Sequence, residues 1–346
     1  MLEVKEPIDI DVLISTLNGT GTYPEKIKDV LIDGCRILVI CGPTGVGKTW
    51  SGLVLARLIG TDIISADSMQ VYRGMDIGTG KINTDPYGIR QYMVDLFEPD
   101  HKLTVKEFRD TAMGIIYRDF FSTRRVPLLV GGSGMYIKSL IDGIDEGPGG
   151  DKDIRKRLER EIEEGGLARQ YQRLYEVDKE YASRISKNDR RRIIRALEVY
   201  ALSGRPYSEL QKSWAARKGY KAIFIGLDKE RKALYSDIER RVDIMFDRGL
   251  IKEVESLLKK GHGSSLSLKQ AVGYKEVIQF LSGKIGLEEC RSLVKANSRR
   301  LAKKQMTWFR HDDRINWLRV DNYDNIFDLI KDMLRLVQKE LEYEKN

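Results

Sequence analysis

Residues Gly42–Pro43–Thr44–Gly45–Val46–Gly47–Lys48–Thr49 match G-x-x-x-x-G-K-[ST], and this octet constrains the fold more than any other feature of the chain. A strand must deliver such a loop and a helix must leave it. Glycines then let backbone N–H groups turn inward around an anion, and the helix N-terminus adds positive potential at the same point. Both flanks have the required character. CRILVICG is a short apolar run rich in β-branched residues, as expected of a strand buried on both faces, and Thr49 to Leu58 reads as a helix. The octet predicts a bound di- or triphosphate, held by residues 42–49, with Lys48 on the outer phosphate and Thr49 on Mg²⁺. It does not say whether a phosphate is transferred or hydrolysed.

The rest of the chain extends this pattern. TDIISAD reads as a second strand ending at Asp67, and VPLLVGG as a third. Residues 104–121 read as a helix, with apolar positions at Val105, Phe108, Ala112, Ile115 and Ile116. Strand–helix–strand alternation predicts an α/β fold, a P-loop NTPase-like parallel sheet flanked by helices. DEGPGGDKD, residues 145–153, punctuates the chain strongly, and a charged helical stretch follows to about 215. KAIFIGLD at 221–228 then reads as another strand, with helices expected at 230–260, 268–282 and 286–310. A sheet that resumes after a helical block points to a mostly helical insertion domain at 149–215, within a core of 35–148 and 216–346. Residues 1–34 are expected to be an appendage.

Composition narrows the setting. Hydrophobic residues make up 41% of the 346 and charged residues 32%, and no apolar run is long enough for a membrane helix. The N-terminus lacks the apolar core of a secretory signal. Cys35, Cys41 and Cys290 have no CxxC spacing and are expected to be buried thiols in a reducing, cytoplasmic setting. The formal charge is +8 and unevenly placed. Residues 291–319 hold nine basic and two acidic side chains, and residues 152–195 hold fourteen and nine. Two separated basic segments are the footprint expected of a protein that grips a polyanion.

In a doubly wound sheet, chemistry gathers at the carboxyl ends of the strands. The second strand runs into Asp67–Ser68–Met69–Gln70, and the third into Gly131–Gly132–Ser133–Gly134. Asp67 has three readings on its residue type: a magnesium ligand, a catalytic base, or a helix N-cap. The glycines around Ser133 would let its hydroxyl approach a ligand closely; a simple turn is the alternative.

GPTGVGKT, ISADSMQVYRGMDIGTGK, LLVGGSGMYIKSL and NDRRRIIRALEVYALSGRP, followed by ERRVDIMFDRGLIKEV, AVGYKEV and RRLAKKQMTWFRHD, resemble in this order the bacterial tRNA dimethylallyltransferase (tRNA isopentenyltransferase) family. The resemblance covers about 36–318. It departs at Ser133, where the family usually has Thr, and at Ser186–Lys187, where His–Pro is common; with no C-terminal Cys/His pair of zinc-finger spacing in this sequence, the zinc module of the eukaryotic relatives is not expected. The resemblance implies transfer of a dimethylallyl group from dimethylallyl diphosphate to the exocyclic amine of the adenosine immediately 3′ of the anticodon. Diphosphate would leave from the 42–49 loop, assisted by Mg²⁺ on Thr49. Asp67 would be the base, with Thr44 and Ser133 as hydroxyl contacts. Asp67, Ser68, Met69, Gln70 and Ser133 would receive the turned-out base. Arg155 and the segment Arg191–Arg192–Ile193–Ile194–Arg195 would contact the tRNA anticodon stem-loop.

Lys295, Arg299 and Lys303 form an i,i+4 stripe, expected to touch phosphates, while Met306 and Trp308 are expected in the core. A monomer with no membrane association is expected. The rival reading of the phosphate loop and Asp67 is a small-molecule kinase or NTPase.

Overall fold

The computed structural model describes residues 24–143, 148–215 and 220–343. They divide into two compact units. One comprises residues up to Ile141 together with those from Tyr220 onward; the other is Asp142–Gly219.

The first unit is built on six parallel strands in the order β3-β2-β4-β1-β5-β6. They are β1 (Ile37–Cys41), β2 (Ile63–Ala66), β3 (Gln91–Tyr92), β4 (Leu128–Gly131), β5 (Ala222–Asp228) and β6 (Ile315–Arg319). The α/β sheet expected from the sequence is therefore present. Alternation along the strands explains why their sequences read as unbroken apolar runs. Leu38, Ile40, Leu128, Val130, Ile223 and Ile225 face one hydrophobic cluster; Ile37, Val39, Leu129 and Phe224 face another. Successive side chains point to opposite faces, and both faces are covered.

The helices of this unit before the break are α1 (Pro24–Asp33), α2 (Lys48–Leu58), α3 (Val105–Ile115) and α4 (Gly134–Lys138). Thr104 caps α3 by accepting from the Glu107 N–H at 3.1 Å. Phe108, Ala112, Ile115 and Ile116 are buried, as the periodicity predicts. The chain then widens into π turns at Ile116–Phe121 instead of continuing as an α-helix.

Among the described residues, five helices form the second unit: α5 (Lys152–Gly165), α6 (Leu167–Val177), α7 (Lys179–Arg184), α8 (Arg190–Ser203) and α9 (Tyr207–Ala215). Asp151, Asp178 and Asp189 cap α5, α7 and α8 through their side chains. The core of this unit includes Leu158, Ile162, Leu174, Ile193, Ile194 and Leu197.

After β5 the first unit resumes with α10 (Arg231–Asp247), α11 (Leu250–Lys259), α12 (Leu266–Gln270), α13 (Tyr274–Leu281), α14 (Leu287–Phe309) and α15 (Ile326–Tyr343). The helices expected at 230–260 and 268–282 are each broken where Gly249 and Gly273 adopt positive φ. Three expectations need correction. Helix α1 packs against α15 with Leu31 fully buried, so 24–33 belongs to the core; residues 1–23 of the expected appendage lie outside the described residues. Strand β6 adds to the strands read from the sequence: INWLR is interrupted by Asn316 and only partly buried at the sheet edge, so it lacks the unbroken apolar run of the inner strands. Cys35 is exposed in a left-handed turn, while Cys41 and Cys290 are buried.

Candidate active site

Strands β2, β4 and β1 are neighbours, so their carboxyl ends bring Asp67, Gly132–Gly134 and the 42–49 loop to one edge of the sheet. Two glycines of the loop are required for different reasons. Gly42 has φ +143°, and a Cβ there would lie 2.4 Å from the Leu227 carbonyl oxygen, so space forbids a side chain. Gly47 has φ +100° with nothing near the position of a Cβ; conformation sets the requirement, and its backbone stays open to an anion at the start of α2. Val46 is buried, so its side chain anchors the loop to the core.

The Lys48 ammonium donates to the Pro43 carbonyl at 2.6 Å. Enclosure lowers its pKa to about 8; the Asp67 carboxylate pulls the other way and the Arg241 guanidinium reinforces the fall. Desolvation therefore outweighs the attraction of the carboxylate. The pKa of Arg241 is lowered too, again by burial first, with Asp67 opposing. Two enclosed cations share one carboxylate, an arrangement matched to a polyanionic ligand.

Arg241 is the group that the sequence reading missed. Helix α10 carries it to the loop, where it donates to the Thr44 hydroxyl at 3.2 Å and to the Thr79 carbonyl at 3.4 Å. Gln305, on α14, was missed as well. Its Oε1 accepts from the Thr44 N–H at 2.8 Å and its Nε2 donates to the Gly132 carbonyl at 3.1 Å, tying the ends of β1 and β4 together. Both residues fall inside family-like blocks, ERRVDIMFDRGLIKEV and RRLAKKQMTWFRHD, but neither sits at a strand end, where chemistry was sought.

Asp67 Oδ1 accepts from the Met69 N–H at 2.8 Å, a local turn bond that orients the carboxylate. Asp67 caps no helix: the residues after it form turns. Ser133 ties the ends of β2 and β4 together. Its hydroxyl accepts from the Ser68 N–H at 3.1 Å and its own N–H donates to the Ala66 carbonyl at 3.1 Å. The glycines beside it serve other side chains than expected. A Cβ on Gly132 would meet Gln305 at 2.4 Å, and one on Gly134 would meet the Trp308 ring at 2.0 Å. Trp308 itself is 42% exposed, which corrects its expected place in the core; Met306 is partly buried. Ser68 and Met69 are partly exposed beside Asp67. Gln70 is turned inward: its amide oxygen accepts from the Ser65 hydroxyl at 2.8 Å and its nitrogen donates to the Thr79 carbonyl at 3.4 Å.

The arginines of the helical unit divide into two kinds. Arg155 and Arg195 both bind the fully buried Glu198, at 2.7 Å and 3.0 Å, and Arg195 also donates to the Pro148 carbonyl. Arg191 and Arg192 are exposed, Arg192 with a 3.5 Å pair to Asp189. Ile193 and Ile194 are corrected: their side chains are core, because α8 turns them inward. The basic stripe on α14 is corrected in part, since Lys295 pairs with Asp243 at 2.7 Å and Arg299 with Glu239, leaving Lys303 as its exposed cation.

Among the described residues, no group of three or more His, Cys, Asp or Glu side chains is placed to hold a metal. The hydroxyl beside the loop is that of Thr49, a residue type that would complete the shell of a magnesium ion held mainly by ligand phosphate oxygens and water. Also among the described residues, no helix is long and apolar enough to cross a membrane.

A family model described as IPP transferase matches residues 70–312, and one described as isopentenyl transferase matches 35–92. The tRNA dimethylallyltransferase of Pelotomaculum thermopropionicum is 41% identical over 87% of this chain and 96% of its own length. That of Geobacter sulfurreducens is 42% identical over 84% and 94%. A crystal structure of the full-length tRNA isopentenylpyrophosphate transferase from Bacillus halodurans superposes with a TM-score of 0.65 at 36% identity, covering 90% of this chain and 99% of that one. A eukaryotic dimethylallyltransferase solved acting on tRNA gives a TM-score of 0.71 at 25% identity, covering 82% and 73%.

Proposed function

The chain belongs to the tRNA dimethylallyltransferase family and transfers a dimethylallyl group to tRNA, and from that premise we propose how its own residues divide the work. The donor is dimethylallyl diphosphate, seated in the 42–49 loop. The acceptor is the exocyclic amine of the adenosine immediately 3′ of the anticodon, presented by the anticodon stem-loop. A cytoplasmic, monomeric enzyme is part of the same reading, and the helical unit contributes to tRNA binding through Arg191 and Arg192.

The observation that supports this division is the meeting of Lys48, Arg241 and Asp67 at the loop. As the allylic C–O bond breaks, negative charge grows on the departing diphosphate. Lys48, Arg241 and the open backbone at Gly47 meet that charge with donors already in place, so they favour the transition state over the ground state. Magnesium, with Thr49 as its protein ligand, would add charge neutralisation on the same oxygens. The new bond forms between the allylic carbon and the amine nitrogen, and the amine must lose a proton. Asp67 is the base: Oδ1 is fixed by Met69, which leaves Oδ2 to bind the amine and take that proton. Thr44 and Ser133 act as positioning hydroxyls, Thr44 through Arg241 and Ser133 through the Ser68 N–H.

The reading is tested by incubating the protein with Mg²⁺, dimethylallyl diphosphate and a tRNA lacking the modification, then mapping the product by mass spectrometry of nuclease fragments. One dimethylallyl group on the fragment holding the adenosine 3′ of the anticodon is expected. Alkylation elsewhere would overturn the acceptor assignment, and an unaltered tRNA would overturn the reading as a whole.

A further inference from the structure

We infer that Glu253 is a positioning residue for the transfer step, acting through the turn at 76–80 on Arg241. The inference rests on the diphosphate reading above and extends it to a residue outside the site. Glu253 lies on α11. Its Oε2 accepts from the Asp76 and Ile77 N–H groups at 3.1 and 2.7 Å, and its Oε1 from the Gly78 N–H at 3.2 Å. Three consecutive backbone donors converging on one anion form a nest, here filled by a side chain of the same protein. Oε1 also accepts from the Tyr274 hydroxyl at 2.6 Å. Tyr274 is fully buried, and its ring lies so close to Gly78 that a Cβ there would be 2.4 Å from Cε2. The turn is thus gripped by a carboxylate and by an aromatic ring.

What the turn presents is the floor under Arg241. The Thr79 carbonyl accepts from Arg241 Nη2 and from Gln70 Nε2, each at 3.4 Å. Gly80, at φ +65°, comes so near the guanidinium that a Cβ would lie 2.1 Å from Nη2. Arg241 Nη1 then reaches the Thr44 hydroxyl at 3.2 Å. A continuous path runs from Glu253 through the backbone of 76–80 to Arg241 and the phosphate loop, with a branch to Gln70 beside Asp67. Glu253→Gln keeps an acceptor for Gly78 and Tyr274. It sets an NH₂ group against the Asp76 and Ile77 donors, so the nest opens on one side.

If Glu253 merely stapled α11 to the turn, Glu253→Gln would lower thermal stability and leave the folded enzyme's kinetics intact. A positioning role predicts coupling to Arg241. The test is a double-mutant cycle of Glu253→Gln and Arg241→Lys, read by the single-turnover rate of tRNA alkylation and by KM for dimethylallyl diphosphate. We expect Glu253→Gln alone to slow the step by about tenfold, and to slow it less than about threefold once Arg241 is already Lys. An unchanged rate in the single variant, or two effects that multiply in the double variant, would overturn the inference. Should Glu253→Gln fail to fold, Tyr274→Phe takes its place in the same cycle, with a smaller loss and the same non-additivity expected; no loss, or a multiplicative one, again overturns it. Wild-type enzyme runs alongside: its failure to alkylate tRNA would strike the prenyl-transfer reading, whereas normal wild-type turnover with a multiplicative cycle would strike only the role of Glu253.

Discussion

Lys48 and Arg241 in the α/β unit are enclosed, lowered in pKa by desolvation, and aimed at one loop that glycines keep open. Arg191 and Arg192 in the helical unit stand in solvent at the start of α8, while Arg155 and Arg195 beside them are spent on the buried Glu198. The same charge therefore does different work in the two units. An enclosed cation acts at short range in a low-dielectric site and resists screening; an exposed one acts through the ionic atmosphere and weakens with salt. The first kind suits a leaving group whose charge changes during the reaction. The second suits a polyanion whose charge does not.

The largest expected effect comes from emptying the enclosed set. Lys48→Met should cut the single-turnover alkylation rate by about 10²–10³-fold with tRNA affinity kept, as loss of a preformed donor to developing charge does elsewhere. Gel-shift titration alongside the rate measurement separates the two. Asp67→Ala should follow, at roughly 100-fold in the chemical step with both substrates still bound. Near-normal turnover would remove Asp67 from the role of base.

The pH dependence sharpens the contrast further. Lys48 in the free enzyme loses its proton near pH 8, so calorimetric affinity for diphosphate should fall as pH rises through that value. Folding stability has the opposite sign. The unfolded lysine stays protonated up to the ordinary 10.5, so between about 8 and 10.5 the unfolded state binds more protons and stability contributed by this group rises with pH. Lys48→Met should abolish both trends.

The smallest effects belong to the exposed set. Arg191→Ala should weaken tRNA binding modestly and flatten the slope of log affinity against log salt by about 0.7 for each phosphate left without its cation. Arg195→Ala should instead act on the fold, since Glu198 would keep Arg155 but lose one of its two cations; a stability loss of ~1–3 kcal/mol is expected from the thermal transition. If Arg195→Ala altered salt dependence and Arg191→Ala did not, the division between the two kinds of arginine would be wrong.

Legibility in the sequence followed the same division. Strands β1, β2, β4 and β5 announce themselves as apolar runs because both faces of the sheet are covered, and the glycines and Lys48 of the loop stand at fixed spacing. Asp67 and Ser133 could be found because each ends such a run. Arg241 could not, since it reaches the loop from an ordinary amphipathic helix nearly two hundred residues on, and nothing local marks one arginine among ERRVDIMFDR as the one turned toward the loop. Nor could composition say which arginines of NDRRRIIR face water, because that depends on Glu198 lying beneath them. The basic stripe on α14 misled for a related reason: i,i+4 spacing fixes a common face, but Asp243 and Glu239 of α10 lie opposite two of its members.

Whether Lys48 and Arg241 ease the departure of diphosphate while an allyl group passes to tRNA is decided by a single-turnover reaction in which diphosphate release and tRNA alkylation are followed in the same tube, with ATP present as a competitor. One diphosphate released per alkylated tRNA is expected, with a shared rate constant and ATP left intact. Diphosphate release that outruns alkylation, or ATP turnover over unaltered tRNA, would show that these cations serve another reaction.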